Sequence, residues 1–343
     1  MMKSKYTFAY NAQIEVLLDS FMATLSKKIS ESSIAKYIEF VVLGGGYGRG
    51  EGGILQAENT CKLYNDLDFF VLTCNNVSDS QLIEVDSFFK VLSKELEKLV
   101  EIDVDFSKAV KVAYASERLD VMAWKEMALG ANVIFGNKQK FKEIFTSKAK
   151  DKIILASEMM KLAMNRISGL VFAFEKLHNT EILTNRDNDF IARNINKAIL
   201  ATGDIYLANK NTLPLLVTER LLLIERLNQV QIAQNYKLAV EFKAFPKIDF
   251  TKQQFEERLL NAVCLLKKSC TENYPYLSKR NFKRFLKDIV LNLKLKKEFS
   301  RFGLKFSMFA SPRKSLIDIA CSLLEGKAST DFSTYKKIWE RLA

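Results

Sequence analysis

A cluster of glycines constrains the fold more than any other feature of the sequence. Seven of the 13 glycines in the 343-residue chain lie within positions 44–53, directly after Ile38–Leu43, which is rich in β-branched and aromatic residues and predicts a buried strand. Glycine permits left-handed dihedrals and has no Cβ, so such a loop lets the backbone approach a phosphate and point N–H groups at it. Tight turns between strands also use glycine, so the loop indicates a phosphate site only together with further motifs.

Two carboxylates follow the glycine loop where a second apolar run begins. Asp66 and Asp68 stand at i and i+2 around the start of Leu67–Thr73, and on a strand such side chains point the same way. Neighbouring like charges are unfavourable unless a cation binds them, and oxygen ligands suit Mg²⁺. Residues 101–106 alternate acidic and apolar residues and predict a third strand with Asp103 and Asp105 on one face. Either aspartate completes a three-carboxylate site, and parity does not choose between them.

Hydrophobic periodicity divides the chain into two parts. Up to about residue 137, helical and strand patterns alternate, beginning with an amphipathic helix over residues 10–36. Weaker strand patterns cover Val110–Tyr114 and Asn132–Phe135. Later patterns are almost entirely helical. We therefore expect a domain over residues 1–150 that carries the motifs and a helical domain over residues 151–343.

The excess of positive charge lies in the second part. Residues 1–150 contain 19 basic and 20 acidic residues, whereas residues 151–343 contain 33 and 20, giving the chain a net charge of +12. The segment Lys279–Lys314 has twelve basic residues against two acidic ones. Such a segment attracts nucleic acid, phosphorylated substrates or an anionic membrane surface, and a merely solvated helix face is an equally good interpretation. Helical spacing predicts core packing for its aromatic residues, Phe282, Phe285, Phe299, Phe302 and Phe306.

The cysteine and histidine content excludes several kinds of site. Five cysteines, an odd number without a CxxC pair, indicate neither a disulfide framework nor a zinc ribbon. His178 is the single histidine, so most histidine-based metal sites are excluded and carboxylates are the expected ligands. No apolar run approaches the ~20 residues of a membrane-spanning helix, and the N-terminus has no apolar signal core. We therefore expect a cytoplasmic protein without a membrane span.

The glycine loop and the acidic motifs together resemble the polymerase-beta-like nucleotidyltransferase superfamily. The family pattern is a strand, a Gly-Gly pair followed in many members by Arg-Gly-Glu, then Asp-x-Asp and a third Asp on a later strand. The chain reads Gly45-Gly46-Tyr47-Gly48-Arg49-Gly50-Glu51, then Asp66-Leu67-Asp68, then Asp103 or Asp105. The resemblance favours Asp105, because the family's third acid commonly lies near the end of its strand. The gap between Glu51 and Asp66 is longer than in compact members, so an insertion must be looped out. Weaker likeness to the helical domain of bacterial members covers residues 165–170, 196–198 and 202–204.

The resemblance implies an α+β fold, a mixed sheet flanked by helices and followed by an all-α helical domain. It also implies an enzyme that moves a nucleoside monophosphate from an NTP, with ATP favoured, to an acceptor hydroxyl and releases pyrophosphate. Asp66, Asp68 and Asp105, with Asp103 as the alternate third ligand, would bind Mg²⁺ or Mn²⁺ in a two-metal mechanism. The nucleotide-binding residues would be Gly45 and Gly46 through their amides, Arg49 at the pyrophosphate, and Lys197 on a helix of the second domain.

Other interpretations of the same residues remain open. The acceptor could be a small molecule, a glycan precursor, an RNA end or a protein side chain. Positions 48–53 match the GxGxxG motif of dinucleotide-binding sites. In such a site a helix follows the motif directly, but no periodic helix follows it here. The main alternative is a catalytically degenerate nucleotide- or RNA-binding protein that holds nucleic acid through Lys279–Lys314. The intact carboxylate set argues against it, because a pure binder has no need of those charges.

Overall fold

The chain divides into two units in the computed structural model, which describes residues 4–57, 60–303, 307–327 and 331–343. The first unit contains Met1–Ile154 together with Glu241–Pro246, and the second contains Leu155–Val240 and Lys247–Ala343. The sequence patterns do not predict that the short segment Glu241–Pro246 joins the first unit.

A five-stranded mixed sheet forms the centre of the first unit. Its strands are β1 (Ile38–Leu43), β4 (Leu67–Thr73), β5 (Val104–Phe106), β6 (Val110–Lys111) and β7 (Asn132–Phe135). The order is β5-β4-β1-β7, with β6 also beside β4; β1 is antiparallel to β4 and β7, whereas β5 and β6 are parallel to β4. A separate hairpin consists of β2 (Gly53–Ala57) and β3 (Thr60–Tyr64). This hairpin is the insertion predicted between Glu51 and Asp66.

Helices cover both faces of the sheet because the strands alternate their side chains between two apolar clusters. The helices of this unit are α1 (Ala12–Ser30), α2 (Gly45–Gly48), α3 (Asp79–Val100), α4 (Val112–Ser116), α5 (Met122–Gly130), α6 (Lys138–Phe141) and α7 (Ser147–Ala149). On one face, Val41, Phe69 and Val71 pack with apolar residues of α1 and α3. On the other, Phe40, Val42 and Leu72 pack with residues of α5, α6 and the π-helical turn that follows α6.

The second unit is helical throughout the residues that the structure describes. Its helices are α8 (Ala156–Asn179), α9 (Asn185–Asn209), α10 (Val217–Arg226), α11 (Val230–Ala244, whose last residues belong to the first unit), α12 (Lys252–Glu272), α13 (Tyr274–Leu277), α14 (Phe282–Lys294), α15 (Lys296–Ser300), α16 (Pro312–Leu324) and α17 (Phe332–Leu342). Helices α8, α9 and α12 pack against one another. The α8–α9 approach is close, since a Cβ on Gly169 would stand 2.3 Å from the side-chain oxygen of Asn194. In the described part of the chain, no helix is long and apolar enough to cross a bilayer.

The predicted architecture, a mixed sheet with flanking helices followed by a helical region, is confirmed. Several bounds differ from the sequence patterns for local reasons. The first helix ends at Ser30 rather than near residue 36. The strand predicted over Val110–Tyr114 stops at Lys111, because its partner β4 ends at Thr73 and offers no further backbone to pair with.

Core packing of the aromatic residues in the basic segment is confirmed only in part. Phe299 is buried, and Phe285 and Phe302 are half-buried. Phe282 is 74% exposed, so the core prediction is wrong for this residue. Phe306 lies outside the described residues. The exposure of Phe282 follows from the orientation of α14, which is described below.

A buried hydroxyl pair contributes to the stability of the second unit. The Ser168 hydroxyl on α8 lies 2.7 Å from the Tyr335 hydroxyl on α17 and donates to the carbonyl of Met164 in α8. Ser168→Ala leaves the buried tyrosine hydroxyl without this partner, and we expect a loss of about 1–3 kcal/mol in the free energy of unfolding. Urea denaturation of Ser168→Ala, Tyr335→Phe and the double variant measures the coupling, with half-buried Ser157→Ala on α8 as control. Strictly additive losses would contradict a direct bond.

Candidate metal centre

A parallel crossover brings two of the predicted acids to adjacent positions. Strand β4 leads into α3, whose start is fixed by a reciprocal capping box between Ser78 and Gln81, and the chain then returns as β5 beside β4. In this register Asp68 is paired with Asp105. Directly paired residues of neighbouring strands point to the same face, so the crossover places the two carboxylates side by side.

Three carboxylates form one group at this end of the sheet. One oxygen each from Asp66, Asp68 and Asp105 lies within 4.8 Å of the others. Asp66 and Asp68 are half-buried and Asp105 is exposed. Partial burial raises the pKa of Asp105, and the negative charges of Asp66, Asp103 and Glu97 raise it further, whereas Lys94 lowers it. The group therefore concentrates negative charge that a cation would stabilise.

The structure separates the two candidates for the third acid. Asp103 is exposed and precedes β5, and its carbonyl accepts a 2.9 Å hydrogen bond from the amide of Leu67. It is not among the three acids that meet, whereas Asp105 is. Asp103 influences the site through its charge, since it contributes to the raised pKa of Asp105.

The glycine loop lies directly against the Asp68 carboxylate. The Gly44 amide donates a 2.8 Å hydrogen bond to the carbonyl of Asp68. Gly45 has a φ of +58°, and a Cβ built on it would stand 2.3 Å from Oδ2 of Asp68. A left-handed conformation favours glycine, and a contact of this length excludes any Cβ. The loop and the acidic motif therefore form one structural unit, in which Gly45 limits where the Asp68 side chain can lie.

Arg49 is held by carboxylates rather than projecting from the loop. Its Nε lies 3.4 Å from Oε2 of Glu51 and its Nη1 lies 3.2 Å from Oε2 of Glu126. Glu51 is only 4% exposed and is also paired at 3.1 Å with Lys243, from the short segment that returns to the first unit. These ion pairs fasten the end of the glycine loop to α5 and to the segment Glu241–Pro246 of the same unit. The predicted contact of Arg49 with pyrophosphate stays a prediction.

Tyr47 joins the glycine loop to the inserted hairpin. Its hydroxyl lies 2.8 Å from the carbonyl oxygen of Gly53 and 3.0 Å from that of Tyr64, which share its single proton, and it accepts from the Tyr64 amide at 2.9 Å. Burial raises the pKa of Tyr47, and the nearby charge of Asp66 adds to this, so the hydroxyl keeps its proton. Both ends of the hairpin are thereby fixed to one side chain. The next residues after Tyr64 are Asn65, at φ +76°, and Asp66.

The remaining predicted residues lie as follows. Gly46 belongs to the one-turn helix α2, in which the first amides have no intrahelical partner. Lys197 is exposed on α9 in the second unit, and its contact with nucleotide stays a prediction.

The GxGxxG pattern at positions 48–53 leads into strand β2 rather than a helix, which excludes a dinucleotide fingerprint. Sequence reasoning missed Glu126 and Lys243, because their distance along the chain gives no signal of their pairing with the loop.

The donor set fits a hard divalent cation. Hard cations such as Mg²⁺ prefer oxygen ligands, which carboxylates supply. The three carboxylate oxygens, all within 4.8 Å of one another, are close enough to share one such ion. Among the described residues, these three acids are the only group of three or more acidic, histidine or cysteine side chains close enough to share an ion.

No protein-family model matches the sequence, and no curated protein is significantly similar to it. Among solved structures, a mutant of the toxin-antitoxin MntA-HpeT is similar over 37% of this chain and 82% of its own, with 17% identity and a TM-score of 0.22. A nucleotidyltransferase-like protein from Exiguobacterium sibiricum is similar over 78% of this chain and 80% of its own, with 11% identity and a TM-score of 0.30. These TM-scores are low, so neither structure adds to what the side-chain geometry supports.

Proposed function

We propose that the first unit is a magnesium-dependent nucleotidyltransferase that moves a nucleoside monophosphate from an NTP, with ATP favoured, to an acceptor hydroxyl. The observation that carries this proposal is the meeting of Asp66, Asp68 and Asp105 beside Gly45 of the glycine loop. A phosphate-binding loop beside a carboxylate cluster is the arrangement that phosphoryl transfer requires, because this chemistry depends on positioning and charge neutralisation.

Asp66, Asp68 and Asp105 would hold the metal, with Mn²⁺ as a substitute for Mg²⁺. When bound, divalent ions in such a site neutralise the charge on the attacking and leaving oxygens of an in-line displacement. The contribution of Gly45 is positional, since its close contact with Asp68 leaves that carboxylate little freedom. A ligand fixed before the metal binds loses less conformational entropy on binding.

The amides of Gly45 and Gly46 would bind the triphosphate. They begin the one-turn helix α2, where N–H groups have no intrahelical acceptor, and neither residue has a Cβ to obstruct a phosphate. In the reaction, the acceptor oxygen forms a bond to the α-phosphorus of the NTP. The bond from that phosphorus to the oxygen bridging to the β-phosphate breaks, pyrophosphate leaves with the electron pair, and the hydroxyl loses its proton to water or a nearby base.

Calorimetric titration of each of ATP, CTP, GTP and UTP tests the proposal. We expect one nucleotide, with ATP favoured, to bind in the presence of Mg²⁺ and to lose its binding when EDTA removes the metal. Nucleotide with Mg²⁺ should also raise the melting temperature of the protein, because a ligand that binds only the native state stabilises it. Equal binding with and without metal would contradict the role of the three carboxylates.

A further inference from the structure

Helix α14 buries two polar side chains and exposes four apolar ones. Asp288 and Asn292 are each 2% exposed, whereas Phe282 is 74% exposed and Leu293 is 53% exposed. A surface helix of a globular protein normally has the opposite pattern, with its apolar face toward the core. The exposed face of α14 therefore needs an explanation outside the packing of this unit.

Polar contacts hold the inward face of α14 in place. The Asp288 carboxylate is paired with Arg280 at 2.9 Å and with Arg284 at 3.2 Å. The Asn292 side-chain amide donates to the carbonyls of Met308 and Ala310, at 3.1 and 2.8 Å. Because these groups are buried and bonded to the neighbouring loop, turning the helix to hide its apolar face would leave a charge and an amide without partners. The orientation of α14 is thus fixed by its polar face.

The exposed apolar residues form a continuous strip along α14. We define the α14 stripe as Phe282, Leu286, Val290 and Leu293, which follow one another at spacings of four, four and three residues. Each of them is between 46% and 74% exposed. At 1.5 Å per residue, the stripe is about 17 Å long.

A row of lysines runs along one side of the α14 stripe. Lys283, Lys287 and Lys294 are all exposed. At about 100° per residue, they fall on the same flank of the stripe rather than behind it. The one acidic residue of the helix, Asp288, is buried and paired, so it does not offset this charge at the surface.

We propose that α14 docks the protein on an anionic lipid bilayer, with the α14 stripe in the acyl boundary and the lysine row at the headgroups. Helices that lie in the membrane interface combine these two features, an apolar face with Phe and Leu and a basic polar face. Long lysine side chains can reach the headgroups while their stems lie along the apolar boundary. This docking is independent of the transfer reaction proposed above.

Two other occupants fit the surface less well. RNA would pair with the lysines, but aliphatic Leu286, Val290 and Leu293 offer no stacking surface for bases. A second copy of the chain, packed stripe against stripe, would bring two lysine rows together without an exposed acid on either helix to neutralise them. A lipid surface provides an apolar layer and negative charge at the required depths.

Vesicle co-sedimentation of the full chain tests this proposal. We expect binding to vesicles of phosphatidylcholine mixed with phosphatidylglycerol and much weaker binding to phosphatidylcholine alone. Leu286→Gln with Val290→Gln should weaken binding at least about tenfold, because each removes buried apolar surface in the lipid. The control is Ile182→Gln with Leu222→Gln, which are also exposed apolar residues of the second unit and should leave binding unchanged.

A second variant tests the contribution of the lysine row without changing any apolar residue. Changing Lys283, Lys287 and Lys294 to Gln should weaken binding to anionic vesicles by roughly fivefold per lysine. All three lysines are exposed, so the helical circular dichroism signal should match that of the unchanged protein. Absence of vesicle binding by the unchanged protein would overturn the proposal. If the protein does not bind vesicles, binding of a single-stranded RNA oligomer would identify RNA as the occupant of this surface. Dimerisation that Leu286→Gln with Val290→Gln abolishes would instead identify a second copy of the chain.

Discussion

Asp68→Asn is expected to weaken metal-dependent nucleotide binding strongly and to slow NTP-dependent pyrophosphate release at least about a thousandfold. Asp68 is paired with Asp105 of β5 in the sheet, and one oxygen of each of the three acids lies within 4.8 Å of the others. Asparagine keeps the shape of the side chain but removes the charge that the ion needs. A loss of several kcal/mol of charge stabilisation corresponds to three or more powers of ten in rate.

Asp103→Asn is the matched control for this substitution. Asp103 has the same side chain and lies near Asp105, but it is outside the group of three. We expect Asp105→Asn to behave like Asp68→Asn, and Asp103→Asn to keep most of the binding. The Asp68 variant should fold as stably as the unchanged protein without metal, because the substitution relieves repulsion among like charges. Nucleotide-dependent pyrophosphate release by Asp68→Asn at the unchanged rate would refute the assignment.

Gly45→Ala is expected to damage the site without touching any acid. Alanine at a φ of +58° is strained by about 1–2 kcal/mol, and its Cβ would stand 2.3 Å from Oδ2 of Asp68. The Asp68 carboxylate must move, so we expect the affinity for Mg²⁺ with nucleotide to fall by about 10–100-fold, the range seen when a ligand loses its positioning partner. Calorimetry measures the affinity, and urea denaturation measures the stability.

Gly50→Ala separates backbone strain from displacement of the carboxylate. Gly50 lies in the same loop with a φ of +75°, but the atoms nearest to its added Cβ are backbone oxygens at 3.5 Å or more, an ordinary contact. We expect a similar loss of stability from Gly50→Ala and little loss of metal affinity. Equal losses of affinity in the two variants would show that strain in the loop, rather than contact with Asp68, is responsible.

The centre of the site was predictable from sequence because its parts are close together in the chain. The apolar run of β1, the glycines after it, and the Asp66 and Asp68 pair lie within residues 38–73. Periodicity also predicted β5, but parity cannot separate Asp103 from Asp105, since both fall on one side of an extended chain. The pairing of β5 with β4 decides between them, and that pairing depends on where α3 ends.

Contacts between distant segments could not be predicted. Arg49 pairs with Glu126, which is 77 positions away, and Glu51 pairs with Lys243, which is 192 positions away. No local pattern marks these partners. The aromatic residues of α14 illustrate a different failure, because helical spacing shows that Phe282 and Leu286 share a face but not whether that face is inward. The buried pairing of Asp288 decides this orientation, against the usual preference for apolar burial.

The Tyr47 hydroxyl has a consequence for how the first unit tolerates a change in the length of its inserted hairpin. Because Gly53 and Tyr64 are both bonded to it, the two ends of the β2–β3 hairpin are clamped to the glycine loop. Residues added between Leu55 and Lys62 would lengthen the hairpin without altering the path from Tyr64 to Asp66. A reporter peptide or fluorophore can therefore be built into this hairpin on a base that the Tyr47 hydroxyl holds fixed beside the glycine loop.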